Sequence, residues 1–204
     1  MLNGLDVSFY QQNINWSQVA SAGYSFCYIK ASEGSSRIEP MALNQAQGAK
    51  SVNILTGFYH FAHCEDSFLN EANFFDAAIK NLPQSDLLPV LDIETNKKNL
   101  SAQQVTAWME GFVTQMLALG YPNVIIYSYT PFLNQYLLPS TILAPCKLWL
   151  ASYTTAPQPK IPNGFTKYDL WQTSGSGVVP GVQNKVDVNV CSDLSPLLLN
   201  QPSA

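Results

Sequence analysis

Leu88-Pro89-Val90-Leu91-Asp92-Ile93-Glu94 is a short apolar run that closes on two acids spaced two apart. Read as a strand, its period-2 pleat turns Asp92 and Glu94 the same way, with Val90 and Leu88 beneath them. Outward from this run, short apolar runs alternate with amphipathic segments, the pattern of a parallel sheet covered by helices. The alternation predicts strands over 5–9, 24–31, 54–62, 88–93, 124–129, 148–153, 168–172 and 186–190. Helices are predicted over 16–22, 41–51, 68–82, 102–119 and 131–138. The fourth helix is the best marked, since Ser101 and Gln104 make a capping box and Gly120 stands where a left-handed residue ends it.

The first five strands start roughly 20 to 35 residues apart, which leaves room for a crossover helix each time. The last three are closer. Pro157, Pro159 and Pro162 occupy one gap and Gly175, Gly177, Pro180 and Gly181 the other, so little helix fits there. An open sheet would leave two edges. The expected fold is therefore a closed α/β barrel, a modified TIM-like (β/α)5β3 arrangement of about eight strands and five helices whose last helices are eroded. At 204 residues the chain is expected to form one domain over 1–204.

Composition narrows the partners. Ten Lys plus Arg against fourteen Asp plus Glu give a formal net charge of -4, and no basic run exceeds Lys97-Lys98. That lacks the cationic stripe that phosphates require, so nucleic acid is not an expected partner. No run of about 18 apolar residues is available to span a membrane. Met1-Leu2-Asn3-Gly4-Leu5-Asp6 lacks the basic and apolar regions of a conventional signal peptide, so none is expected. With 47% hydrophobic and only 12% charged residues, the chain can bury a large core under a mostly uncharged surface. Its 16 Asn, 14 Gln and 19 Ser supply that surface and suit hydroxyl-rich ligands. Cys27, Cys64, Cys146 and Cys191 form no CxxC pair, so at least two buried thiols are expected and spacing assigns no disulfide. The tail Gln201-Pro202-Ser203-Ala204 is expected to fray.

In such a barrel the chemistry lies at the C-terminal ends of the strands. Asp6 falls on the first strand, Glu33 just past the second, Asp92 and Glu94 at the end of the fourth, and Asp187 on the eighth. Two carboxyls converging in a partly apolar pocket cannot both be comfortable as anions, so one should be held as an acid at neutral pH. Such pairs serve glycoside cleavage. The plainer alternative is a solvated strand end in which Glu94 pairs with Lys97 or Lys98. Tyr10, Tyr59, Tyr127, Tyr129, Trp149, Tyr153 and Trp171 also fall near strand ends, where aromatic faces stack on sugar rings or simply pack the core and rim. His60 and His63 raise a metal reading, but they run off a strand end and do not share a helix face, so hydrogen bonding near the mouth is expected and no metal. A serine hydrolase is disfavoured, since GxSxG is missing and Ser8 has no evident base.

At these residues the chain resembles glycoside hydrolase family 25, the lysozymes of the bacterial and phage muramidase type. Gly4-Leu5-Asp6-Val7-Ser8, Gln11 and Ile14-Asn15-Trp16 are similar to the family's opening motif, with Asn15 where Asp is usual. Ile29-Lys30-Ala31-Ser32-Glu33-Gly34 differs from the usual form by Ser32 for Thr. Gly57-Phe58-Tyr59-His60-Phe61, Leu91-Asp92-Ile93-Glu94, Leu148-Trp149-Leu150-Ala151-Ser152-Tyr153, Trp171-Gln172 and Val186-Asp187-Val188-Asn189 follow in the family's order.

The resemblance implies an eight-stranded, five-helix barrel that hydrolyses the β-1,4 bond between N-acetylmuramic acid and N-acetylglucosamine in peptidoglycan. By position, Glu94 matches the general acid and Asp92 its partner carboxylate, with Asp6 and Asp187 lining the same cleft. Tyr59, Tyr127 and Gln172 are implied as substrate contacts, beside Trp149 and Tyr153. Glu33 matches a family position for which a structural hydrogen bond is expected. No cofactor is implied. The expected partner is the glycan strand, met by a monomer at the bacterial cell wall after holin-type lysis or non-classical secretion, without an appended wall-binding domain. Two mechanisms stay open. Asp92 either orients the substrate's own N-acetyl group or stabilises an oxocarbenium-like state; alternatively Asp6 or Asp187 activates a water in an inverting route. Rival readings are a chitinase-like barrel, whose DxE pair also ends strand four, and a non-catalytic glycan-binding barrel. Trp171-Gln172 and Val186-Asp187-Val188-Asn189 favour the muramidase.

Overall fold

The computed structural model describes residues 1–64 and 66–199, and the expected fraying of 201–204 lies outside them. In chain order the elements are β1 (Leu2–Val7), α1 (Trp16–Ser21), β2 (Tyr24–Glu33), β3 (Arg37–Ile38), α2 (Ala42–Ser51), β4 (Leu55–Phe61) and α3 (Phe68–Lys80). They continue with β5 (Val90–Asp92), α4 (Ala102–Ala118), β6 (Ile125–Tyr129), α5 (Thr130–Tyr136), β7 (Lys147–Ala151), β8 (Leu170–Gly177) and β9 (Val186–Cys191). A 3-10 turn follows at Ser195–Leu197.

Eight strands close the barrel. β1, β2, β4, β5, β6, β7 and β8 run parallel to their neighbours, and β9 lies between β8 and β1, antiparallel to both. A parallel return needs a crossover of a dozen or more residues. The Gly- and Pro-containing segment 178–185 is too short for one, so the chain turns back as a hairpin. The two-residue β3, antiparallel to β2, was not legible because Arg37-Ile38 is too short to show a period. β1 begins and ends earlier than the predicted 5–9, because the Ser8 amide leaves the sheet to donate to Gln11 Oε1.

Alternation along each strand sorts the core into two layers. Phe26, Tyr28, Val90, Ile125, Trp149 and Leu170 fill the barrel. Phe58, Phe75, Leu91, Ile93, Met109 and Phe112 pack between strands and helices. Glycine makes room inside: a Cβ on Gly4 would sit 2.1 Å from the Phe26 ring, and one on Gly57 2.2 Å from the Tyr28 ring. The helix signals hold. Ser101 Oγ accepts from the Gln104 amide at 3.3 Å, Gln104 Oε1 accepts from the Ser101 amide at 2.9 Å, and Gly120 follows with φ +101°. Asn15 caps α1 with its own oxygen, accepting from the Gln18 amide at 3.2 Å. All four cysteines are buried free thiols.

Candidate active site

The inward-facing positions of β1, β2, β4, β5, β6, β7 and β9 converge on a pocket of about 210 Å³ at the barrel mouth. Asp6, Asp92, Glu94 and Asp187 line it together with Tyr59, Tyr127 and Trp149. Asp92 and Glu94 share a face as the pleat requires, above the Val90 and Leu88 layer of the barrel core. Asp6 and Asp187 stand opposite one another across the β1–β9 pairing.

Amide side chains hold Asp6 in place. Gln172 Nε2 donates to Asp6 Oδ2 at 2.9 Å and Asn189 Nδ2 to the same oxygen at 2.8 Å. Gln172 in turn accepts from the Tyr127 hydroxyl at 3.0 Å and the Tyr153 hydroxyl at 2.7 Å. Trp149 Nε1 donates to Asn189 Oδ1 at 2.8 Å, so this indole is committed to positioning while one side of it lines the pocket. Asp92 differs from Asp6: its buried Oδ1 has no hydrogen-bond partner among the described residues.

The acids sit where anions are costly. Burial lifts the Asp92 carboxyl well above its ordinary range; the Glu94 charge adds to this and Lys30 opposes it. Asp6 is lifted well up by burial and then by Asp187, against the amide hydrogen bonds of Asn189 and Gln172. Glu94 is raised by burial and Asp187, again against Lys30, and Asp187 is raised by burial. Burial and the surrounding acids also hold the Tyr59 and Tyr127 phenols protonated. The cluster can therefore keep a carboxyl neutral and proton-donating where an isolated one would ionise.

Some sequence-derived candidates fall elsewhere. Glu33 does not line the pocket; its carboxylate binds Lys30 and Arg37 on one oxygen and His63 Nε2 at 3.2 Å on the other. The bulge in β2 between Lys30 and Ser32 sets Glu33 beside the pocket-lining Phe61, but these ion pairs hold its carboxylate off the pocket. Tyr153 stands at the exposed rim with its hydroxyl on Gln172. Trp171 points outward, its indole donating to the Ser152 carbonyl at 2.7 Å. Neither histidine faces the pocket. His60 is fully buried behind β4, its Nδ1 2.8 Å from Ser32 Oγ and its Nε2 2.9 Å from Glu71 Oε2, so both ring nitrogens are occupied.

Lys30 and Asn189 stand at the acid cluster although their motifs gave them no role. Lys30 is the cation facing Asp92 and Glu94, held by Glu33 and lying 4.9 Å from the centre of the Phe61 ring. Its signal was its place two beyond Tyr28, on the same inward face. Asn189, two from Asp187, had the same signal.

Comparison with known proteins agrees with this geometry. Residues 5–182 match Glycosyl hydrolases family 25. Lysozyme M1 of Streptomyces globisporus is 32% identical over 92% of this chain and 67% of its own length. The N,O-diacetylmuramidase of Chalaropsis sp is 29% identical over 93% of this chain and 95% of its own. The crystal structure of the bacterial lysozyme from Streptomyces coelicolor superposes with a TM-score of 0.84 at 31% identity, covering 94% of this chain and 92% of that one. With its acids gathered at the mouth of the same barrel, the chain belongs to glycosyl hydrolases family 25.

Proposed function

We propose that this pocket cleaves the β-1,4 bond between N-acetylmuramic acid and N-acetylglucosamine, with Glu94 as general acid and Asp92 as the carboxylate that receives the substrate's acetamido N–H. Muramidase activity on peptidoglycan is what the lysozyme and muramidase relatives indicate. The division of labour rests on the unpartnered Asp92 Oδ1, a buried acceptor at a pocket wall that a bound acetamido group would satisfy.

Glu94 delivers its proton to the glycosidic oxygen as the C1–O bond breaks. The acetamido carbonyl oxygen of the same sugar bonds to C1 from the other face, and Asp92 stabilises the positive charge that develops on the N–H. Water then adds to C1, Glu94 takes back a proton from it, and the acetamido group is released with the anomeric configuration retained. Lys30 faces both carboxyls and favours their charged forms, which limits how far burial lifts them. Asp6, anchored by Gln172 and Asn189, forms the opposite wall with Asp187. The same reading has the enzyme act at the bacterial cell wall, which fractionation of the producing culture would check.

The test is mass spectrometry of fragments released from purified peptidoglycan by the unsubstituted chain and by Glu94→Gln, with chitin as control. Reducing N-acetylmuramic acid ends made only by the unsubstituted chain support the assignment. Reducing N-acetylglucosamine ends, or release from chitin alone, refute it. NMR of the first-formed anomer tests the route separately: an inverted product would rule out attack by the acetamido group and, with it, the charge-stabilising role of Asp92.

A further inference from the structure

The mouth does not end at the acid pocket. A hollow of about 350 Å³ opens on the other side of Tyr10, and a second of about 690 Å³ lies between α1, α2 and the β8–β9 connection. Tyr10 lines both the acid pocket and the first hollow, while Gln12, Asn13 and Gln183 line both hollows, so the three run together as one trough. Volumes of this order suit small-molecule and sugar ligands.

The lining is chemically uniform. Among the described residues no Asp, Glu, Lys, Arg or His lines either hollow, and amide side chains predominate. An amide both donates and accepts, which matches hydroxyl and acetamido groups and offers nothing to a full charge. The site is also built. Gln45 of α2 donates to the Ser8 carbonyl at 2.8 Å and the Gln11 carbonyl at 2.9 Å. From the opposite side, Asn184 Nδ2 donates to the Tyr10 carbonyl at 2.8 Å, and Gln11 Nε2 reaches the Lys185 carbonyl at 2.8 Å. The segment carrying Tyr10 is thus pinned on both flanks, yet the residue remains 73% exposed at the junction. Gln45, only 2% exposed, lines the larger hollow and keeps a buried Oε1 with no partner among the described residues.

We infer that this trough is a distal glycan subsite, taking the neutral acetamido- and hydroxyl-bearing sugars of the strand beyond the bond being cut, with Tyr10 as the stacking platform at the turn into it. The inference rests on the muramidase reading of the acid pocket and extends it. A sugar lying against Tyr10 presents C–H faces to the ring and hydroxyls to Gln12 and Asn13. Gln45 Oε1 is an acceptor for a donor arriving from the larger hollow. Stem peptides bring carboxylates and ammonium groups that would find no counter-charge there, so the glycan is the favoured occupant.

The experiment uses full-length Glu94→Gln and peptide-free glycan strands of four and of eight or more sugars, their lactyl carboxyls capped as amides, with affinities measured by calorimetry. The longer strand should bind about tenfold tighter, a difference well within what a few hydrogen bonds and one stacked ring supply. Adding Asn44→Ala and Gln183→Ala, two amides that line the larger hollow, should abolish that advantage while leaving four-sugar affinity as the internal reference. Gln12→Trp, which fills the trough instead of emptying it, provides a second variant if the pair impairs folding. Equal affinity for both lengths, or a length advantage that survives these substitutions, overturns the inference. So does a free stem peptide whose binding the pair removes. If the unsubstituted chain cuts neither strand, the muramidase reading fails, whereas the length comparison still decides the trough.

Discussion

Two clusters of buried acids lie on opposite faces of the same strands, and they have opposite chemistry. Inside the barrel, Asp6, Asp92, Glu94 and Asp187 face one another, and their shared burial raises every one of them. Behind β4, Glu71 of α3 is also fully buried, but its Oε2 accepts from His60 Nε2 and from the His63 amide at 3.1 Å. His60 packs against the Phe75 and Phe112 rings, with centroids 5.4 and 5.5 Å away and 6.4 Å from each other, and its Nδ1 lies 2.8 Å from Ser32 Oγ. Each cluster keeps a buried carboxyl oxygen with no partner among the described residues, Asp92 Oδ1 inside and Glu71 Oε1 outside, so unmet polarity alone does not separate them. What separates them is company and access. An acid whose neighbours are donors is a structural strut; an acid whose neighbours are acids, at the wall of an open pocket, is available to move a proton. The Ser32–His60–Glu71 line has the residue types of a nucleophilic triad and no opening through which substrate could reach it.

The sharpest way to break this comparison is substitution on each side. Glu94→Gln should reduce turnover of peptidoglycan by roughly a thousandfold or more with no loss of melting temperature, because positioned acid catalysis contributes about 10²–10⁴-fold and the amide keeps the shape. A near-normal rate would remove Glu94 from the reaction. Asp92→Asn should lower kcat by about a hundredfold if that carboxylate stabilises the developing charge, and only slightly if it shapes the pocket. Glu71→Ala inverts the pattern. It strands the His60 and His63 N–H groups and should cost about 3 kcal/mol of stability, roughly 6–12 °C in melting temperature at this size, with the rate per folded molecule unchanged. Loss of rate without loss of stability in that variant would mean that the two clusters are not separate devices.

A smaller effect follows from pH. Carboxyls raised in the folded state bind protons that the unfolded chain has released, so their stability contribution is fully present below the ordinary carboxyl values of 3.8 and 4.5 and is lost as pH rises through the folded values. His60 acts with the opposite sign. Burial lowers it from 6.5 against the pull of Glu71, so its contribution is present at higher pH and is lost as pH falls below that value. Melting temperature scanned from pH 4 to 8 should therefore decline on the alkaline side less steeply in Asp92→Asn than in the unsubstituted chain. An unchanged slope would show that Asp92 carries no raised carboxyl.

The strands and helices were legible from short periodicities and caps, because each depends on residues within one turn or one pleat. Ser101, Gln104 and Gly120 end a helix whatever lies around it, and Asp92 and Glu94 share a face wherever a strand runs through them. Position alone misplaces Glu33 in the pocket. The bulge after Lys30 sets it beside the pocket-lining Phe61, but its ion pairs with Lys30, Arg37 and His63 hold it off the pocket. His60 and Lys30 exchange the significance that their residue types suggest: the histidine is a buried strut and the lysine faces the acids. The trough beyond Tyr10 assembles residues more than a hundred positions apart, from Gln12 to Gln183, and no local pattern announces it.

By itself the amino-acid sequence determined which segments alternate, where the helices begin and end, and which two carboxyls must point together, since those are short-range consequences of backbone geometry. Only the tertiary structure decided that the last strand returns antiparallel to bring Asp187 opposite Asp6, which acids keep one another's company, and which find donors. Those outcomes depend on closing the barrel, and closure sets distances between residues that the chain's own order leaves far apart.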